Sequence, residues 1–228
     1  MWNQYYNLKL TELDIQKGRH RGIIGGMWEE MGEKQIEFLK EKGLKPHHEL
    51  LDVGCGSLRG GIYFIKYLNA GKYSGLDINP SLIRAGQSEL KKANLTGKKP
   101  ILLVNDNFHF HLFKKKFDYA IAQSVLTHLP VNVIQRCLVN IEKVLNPGGE
   151  FYATFFETTE KFNDNPINHP GGLTTYLDKD PYHYHFSIFE YLIKDTSLQL
   201  EYIGDWGHPR NQKMICFTKM ETSPSNQN

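Results

Sequence analysis

Residues Glu49–Gly61 read ELLDVGCGSLRGG, and this stretch restricts the fold more than any other part of the chain. The apolar run Leu50, Leu51 and Val53 has strand character and runs into Gly54, Gly56, Gly60 and Gly61. Ile62, Tyr63, Ile65, Lys66, Tyr67 and Leu68 follow as a helical segment. Strand, glycine turn and helix together open a nucleotide-binding α/β fold. The glycines permit positive φ and let a ligand lie against bare backbone at a helix N-terminus. A dinucleotide loop, G-x-G-x-x-G, would need its third glycine where Arg59 stands, which argues against a nicotinamide oxidoreductase. The pattern here is D-x-G-x-G, with Asp52 two residues before the first glycine.

The β/α alternation continues beyond this loop. A second strand, Tyr73–Ile78, carries Asp77 near its end, about 20 residues past the first glycine, where an acid accepts hydrogen bonds from ribose hydroxyls. The competing role for Asp77 is to cap the helix that Pro80 and Ser81 begin and that reaches about Ala93. A third strand, Ile101–Asn105, precedes Asp106 and Asn107. His109 and His111 alternate in NFHFHLF and read as solvent-facing. The fourth strand, Phe117–Ala122, leads to Gln123, Ser124 and His128, with Ser124 and His128 one helical turn apart. An amphipathic helix over Val131–Leu145 ends at the turn Asn146-Pro147-Gly148-Gly149, and strand five, Glu150–Phe156, follows.

Residues 157–186 then break the rhythm with Pro166, Pro170, Gly171, Gly172, Pro181 and the cluster DPYHYH. A segment of this length without periodicity is expected to be a functional loop, and its aromatics argue against disorder. A helix over Ser187–Thr196, strand six over Leu200–Trp206 and strand seven over Lys213–Thr218 close the pattern. GHPRNQ is short enough to join the last two as a hairpin, which makes strand seven antiparallel. Residues 220–228 read as a disordered tail.

Ahead of the first strand, residues 1–48 form an extension. Trp28, Met31, Gln35, Phe38 and Leu39 recur at helical spacing over Met27–Lys42. The GIIGG turn before them is either the joint of a cofactor lid or a plain connector, and Trp28 either lines the cofactor or packs in the core.

A net charge of +2 favours neither nucleic acid nor a membrane surface as partner. The three widely spaced cysteines fit neither a disulfide framework nor a zinc ribbon. No signal peptide or membrane span is read, so a cytoplasmic protein is expected. The oligomeric state is not legible.

The D-x-G-x-G loop, the acid ending strand two and VLNPGGEFYATFF together resemble the class I S-adenosylmethionine (SAM)-dependent methyltransferase superfamily, over about Glu49–Lys219. The resemblance implies a Rossmann-like α/β fold: a seven-stranded, mostly parallel sheet with an antiparallel seventh strand and helices on both faces. It implies SAM as cofactor and S-adenosylhomocysteine as product, held by Asp52, Gly54, Gly56, Arg59, Asp77, Ile78, Asp106, Asn107, Gln123 and Trp28. Residues 157–186 would then cover the acceptor. His185, His128 and Tyr182 are candidate catalytic groups, and His183, Tyr184, His208, Arg210, Lys213 and His20 candidate acceptor-binding groups. Basic residues at Arg19–Arg21 and His208–Lys213, on two expected rims of the site, point to a small anionic oxygen acceptor. Two alternatives stand beside this reading: a SAM-binding protein without catalysis, and a metal-assisted enzyme using His169, His183, His185 and His208, although no carboxylate has convincing ligand spacing, so no metal is expected. The GG-x-W helix, LDVGCGSLRGG and GDWGHPR are also similar to bacterial methyltransferases encoded with polysaccharide and capsule genes, among them phosphoramidate O-methyltransferases.

Overall fold

The computed structural model describes residues 5–221, so most of the expected C-terminal tail lies outside the described residues. Contacts divide the chain into two compact units, Tyr5–Asp106 and the part from Asn107 onward.

In the first unit, three parallel strands, β1 (Leu50–Val53), β2 (Tyr73–Asp77) and β3 (Ile101–Val104), lie in the order β3-β2-β1. Helix α1 (Glu12–Gln16) begins at a capping box in which Thr11 and Asp14 satisfy each other's backbone N–H groups. Helix α2 (Arg19–Ile23) follows, so Gly22 and Ile23 are helical and the expected GIIGG turn narrows to Gly25 and Gly26. Helix α3 (Trp28–Glu41) buries the predicted face of Trp28, Met31, Gln35, Phe38 and Leu39. It packs on α4 (Gly61–Tyr67) at Gly32, where an added Cβ would stand 2.3 Å from the Tyr63 ring. Helix α5 (Pro80–Lys92) starts at Asn79, whose Oδ1 accepts from the N–H groups of Ser81 (2.8 Å) and Leu82 (3.1 Å). The cap is therefore Asn79, which leaves Asp77 for other work.

In the second unit, β4 (Phe117–Ala122) pairs in parallel with β5 (Leu145–Glu157). β10 (Lys213–Lys219) pairs antiparallel with both β5 and β9 (Leu198–Asp205), as expected of the last strand. Helix α6 (Val131–Val144) stops one residue before the anticipated end. The Asn146–Gly149 turn lies within β5 as a looped-out bulge rather than before it: Phe117 faces Leu145, and Tyr119 already faces Glu150. The expected loop over 157–186 carries short strands. β6 (Ile167–His169) and β7 (Leu173–Thr175) form a hairpin, and β8 (His183–Tyr184) adds in parallel to the end of β5. Helix α7 (Ser187–Ile193) covers β9 and sets Phe189 edge-on to Phe155 and Phe217. Among the described residues, seven principal strands correspond to the seven expected, and three short ones belong to the insertion.

Candidate functional site

In open parallel sheets ligands collect at the carboxyl ends of the strands, so each unit is described there. In the first unit β1 delivers Gly54 and Gly56 at φ 70° and 53°, conformations that cost a residue with a Cβ. Gly56 donates its N–H to Asp77 Oδ2 (2.8 Å), and Asn79 donates its N–H to Oδ1 (2.8 Å). The carboxylate keeps acceptor capacity beyond these N–H donors for a hydroxyl. Burial raises the Asp77 carboxyl to about 6 against the lowering effect of the Asn79, Gly56 and Ile78 N–H donors. Beneath it Asp52 accepts from the Tyr73 hydroxyl (2.7 Å), and burial pushes its carboxyl to about 7, opposed by Tyr73 and reinforced by Asp77. A ribose diol, with two O–H donors, suits a buried carboxylate left with spare acceptor capacity. Ile78 is half-buried just after Asp77, and Asp106 is half-buried two residues past β3.

Arg59, 9% exposed, donates from Nη1 to the carbonyls of Ile24 (3.2 Å) and Gly26 (2.9 Å), which ties the glycine loop to the turn ahead of α3. Trp28 is 8% exposed, with the His20 ring edge-on to it and the Arg21 guanidinium 4.5 Å over its face. The core reading of Trp28 is thus the one its surroundings favour. His20 does not stand at a rim. It is fully buried, with Nδ1 2.9 Å from Ser57 Oγ and Nε2 3.3 Å from Glu89. Burial lowers its pKa despite that carboxylate. Glu89, missed in the sequence, also pairs with Arg21 (2.6 Å) and Lys92 (3.1 Å). Arg19 pairs with Asp14 at the surface.

In the second unit the expected candidates separate by ring tautomer, because the bond one imidazole nitrogen makes fixes the role of the other. His185 Nδ1 accepts from the Ser187 N–H (3.2 Å) and contacts Ser187 Oγ (2.8 Å), capping α7. Its proton therefore sits on Nε2, so this histidine presents a donor and is not a base. His208 is alike: Nδ1 accepts from the Arg210 N–H (3.1 Å). His128, on the turn after β4, has Nδ1 bonded to Asp180, which leaves Nε2 as the unprotonated nitrogen. Of the two histidines among the catalytic candidates, His128 is the one whose Nδ1 bond leaves Nε2 as the acceptor nitrogen. Tyr182 cannot readily take a proton, since burial, Asp180 and Asp178 raise its pKa. Its N–H donates to Thr127 O (2.7 Å) and its ring stacks on Tyr184.

His183 and Tyr184 are committed internally. His183 Nε2 donates to Asn163 O (3.1 Å), so Nδ1 accepts from Thr175 Oγ1 (3.0 Å), which in turn accepts from His169 Nε2 (2.9 Å). Tyr184 donates its hydroxyl to Leu129 O. Neither has a spare N–H or O–H to offer an acceptor molecule. His169 and His183 share a threonine, and no group of three side chains suited to a metal occurs among the described residues.

Arg210 lies against the insertion: a Cβ built on Gly171, at φ 79°, would be 3.6 Å from Arg210 Nε. Lys213 reaches Asn211 (2.7 Å) in the same turn, and Asn107 accepts from Arg136 (2.9 Å). Gln123 donates to Ser124 Oγ (2.9 Å) within a polar group that includes Thr154 and Gln212. Sequence reasoning missed Asp180, Thr154 and Gln212. A threonine inside the apolar run FYATFF is a legible signal for a buried polar contact, whereas nothing in GHPRNQ marks its last residue.

Residues 51–151 match the model of a family described as a methyltransferase domain. A protein-lysine N-methyltransferase of Saccharolobus islandicus is 31% identical over 133 residues, covering 55% of this chain and 75% of that protein. A sterol 24-C-methyltransferase of Candida albicans is 25% identical over 211 residues, 89% of this chain and 55% of that one. The chain spans between 34% and 54% of the first three curated relatives it matches. Among solved structures, the SAM-bound amino pentose methyltransferase CalS10 of Micromonospora echinaspora superposes with a TM-score of 0.64 at 16% identity, covering 94% of this chain and 99% of that one. At that identity the likeness concerns the fold, which is the mixed α/β Rossmann-like arrangement with mostly parallel strands. No helix among the described residues is long and apolar enough to cross a membrane. With its glycine loop, its strand-two acid and these relatives, the chain belongs to the class I SAM-dependent methyltransferase superfamily.

Proposed function

We propose that this chain transfers a methyl group from SAM to a small anionic oxygen acceptor, a metabolite or glycan precursor such as a phosphoramidate of capsule synthesis. The observation that carries the acceptor class is Arg210 lying over Gly171. It joins the basic turn before β10 to the insertion, the two segments expected to face the acceptor. Arg suits a carboxylate or phosphate because its planar fork binds two oxygens at once.

The cofactor reading rests on Asp77 and the Gly54–Gly56 loop, with Asp52, Arg59 and Ile78 as supports. When bound, SAM supplies an activated methyl group, and the protein's part is to orient the acceptor and exclude water. An anionic oxygen needs no base. Where the acceptor still carries a proton, His128 Nε2 is the group able to remove it, with Asp180 holding the ring. His185 and His208 present N–H donors suited to negative charge.

The test is methyl transfer from isotope-labelled SAM to matched acceptors bearing phosphate, carboxylate or only neutral hydroxyls. Turnover confined to anionic acceptors supports the proposal. Turnover confined to neutral ones, such as the sterols named for the Candida relative, refutes the acceptor class. SAM binding without transfer to any acceptor would leave a binding protein instead.

A further inference from the structure

Gln212 precedes β10 directly and is 3% exposed. Its Oε1 accepts from Thr154 Oγ1 (2.7 Å) and from Ser124 Oγ (3.0 Å). Thr154 Oγ1 itself accepts the Ser124 N–H (2.7 Å), and Ser124 Oγ accepts from Gln123 Nε2 (2.9 Å). Each hydroxyl thus has one proton to place, and Gln212 Oε1 is the acceptor they share. Turning the amide over would strand both hydroxyl protons, so its orientation is fixed by hydrogen-bond bookkeeping. The amide nitrogen is then directed away from the pair.

The surroundings point to a ligand. Ser124 lies just past the end of β4, Thr154 near the end of β5 and Gln212 at the start of β10. Ser124 is held at φ 58°, a conformation that a residue with a Cβ adopts only when its neighbours enforce it. Its N–H, C=O and hydroxyl are all bonded, the C=O by Thr127 Oγ1 (3.1 Å). A strained, fully bonded residue beneath a rigid amide is the build of a preorganised donor. The turn that supplies Gln212 also carries His208, Arg210 and Lys213, all donors.

We propose that Gln212 is a specificity-determining residue that donates its side-chain N–H to an anionic oxygen of the methyl acceptor. This rests on the function proposed above. An amide so placed would read a carboxylate or phosphoryl oxygen and would have no use for a group able only to donate.

The experiment follows the Gln212 NH2 resonances by NMR in protein saturated with S-adenosylhomocysteine. The signals are assigned by their loss in Gln212→Glu. Phenyl phosphate, benzoate and benzyl alcohol serve as probes that share a ring and differ in charge. The expected result is a saturable shift with the two anions and none with the alcohol. Gln212→Glu keeps a carboxylate oxygen for the two hydroxyls, so it should fold and bind S-adenosylhomocysteine as before. It should bind phenyl phosphate and benzoate at least about tenfold more weakly, because it replaces a donor to a charged oxygen by a repelling one. An unmoved NH2 pair, or an equal loss for all three probes, overturns the proposal. Failure of the function is seen separately, as methyl transfer by the wild type that goes only to neutral hydroxyls.

Discussion

The two units bury different kinds of polar group. Tyr5–Asp106 buries acids, Asp52 and Asp77, whose carboxyls rise to about 7 and about 6 from an ordinary 3.8. The part from Asn107 onward buries neutral groups: the His169–Thr175–His183 chain and the Ser124–Thr154–Gln212 group. An acid whose folded pKa is raised lends stability that is full below its unfolded value and lost as pH rises through the folded one. His169 runs the other way. Burial lowers its pKa from 6.5, so its contribution is lost as pH falls below that value. Mild acid therefore favours the buried Asp52 and Asp77, whereas His169, and His20 within the first unit, run the other way. On the cofactor reading proposed above, one half keeps charge in reserve for a ligand, and the other uses neutral bonds to hold a shape.

The largest test of this contrast removes the reserved charge. Asp77→Ala should weaken S-adenosylhomocysteine binding about ten- to a hundredfold by calorimetry, the value of one or two bonds to an ionised acceptor. Unchanged affinity would make Asp77 a purely structural link between Gly56 and Asn79.

Breaking the neutral chain comes next. Thr175→Val leaves His183 Nδ1 and His169 Nε2 facing a methyl group, at a cost of about 1–2 kcal/mol. Thermal unfolding should show a drop of roughly 2–8 °C, with cofactor affinity unaffected. Loss of both together would show that the division between the units is false.

A smaller effect is expected at Arg210, which is only half-buried. Arg210→Ala should raise the KM for a phosphate-bearing acceptor severalfold, and Arg210→Lys should recover only part of it, because Lys cannot bind two oxygens in a plane. Equal behaviour of Lys and Arg would reduce the interaction to general attraction.

The smallest signal is in pH. A hydroxyl donating to Asp77 favours its ionised form, so S-adenosylhomocysteine binding should release protons below about pH 6. Affinity should rise with pH through that value and flatten above it. Calorimetry in buffers of different ionisation enthalpy checks the proton count. A flat profile would mean that Asp77 binds its ligand while protonated.

The nucleotide half was the more legible in sequence because its chemistry is local. Asp52, Gly54 and Gly56 lie on one strand-to-turn segment, and the acid ending β2 stands at the same strand ends. Helix α3 was readable for the same reason, since periodicity reports which face is buried. The insertion was not. β8 gains its identity from pairing with β5 at Phe156 and Glu157, across a gap that carries no period. His183, His185 and His208 looked equivalent as letters. Their partners, Thr175, Ser187 and the Arg210 N–H, decide which nitrogen holds the proton. His20 was misplaced because a basic cluster looks the same whether it faces water or Glu89.

The hold of the first residues on α5 has a consequence for the order of events during synthesis. Asn79 donates its side-chain amide to the carbonyls of Tyr5 and Leu8, and Ser81 reaches Leu8 as well, across 71 to 74 positions of chain. Arg21 likewise meets Glu89 across 68. A nascent chain cannot complete the docking of α1 and α2 until α5 has left the ribosome. The segment ahead of α3 is thus among the last to settle in its unit, and its short helices, marginal on their own, wait on β1 and β2. A ribosome pause near residue 60 should yield a protease-sensitive N-terminus, and a pause well beyond residue 130, once α5 has cleared the exit, a protected one.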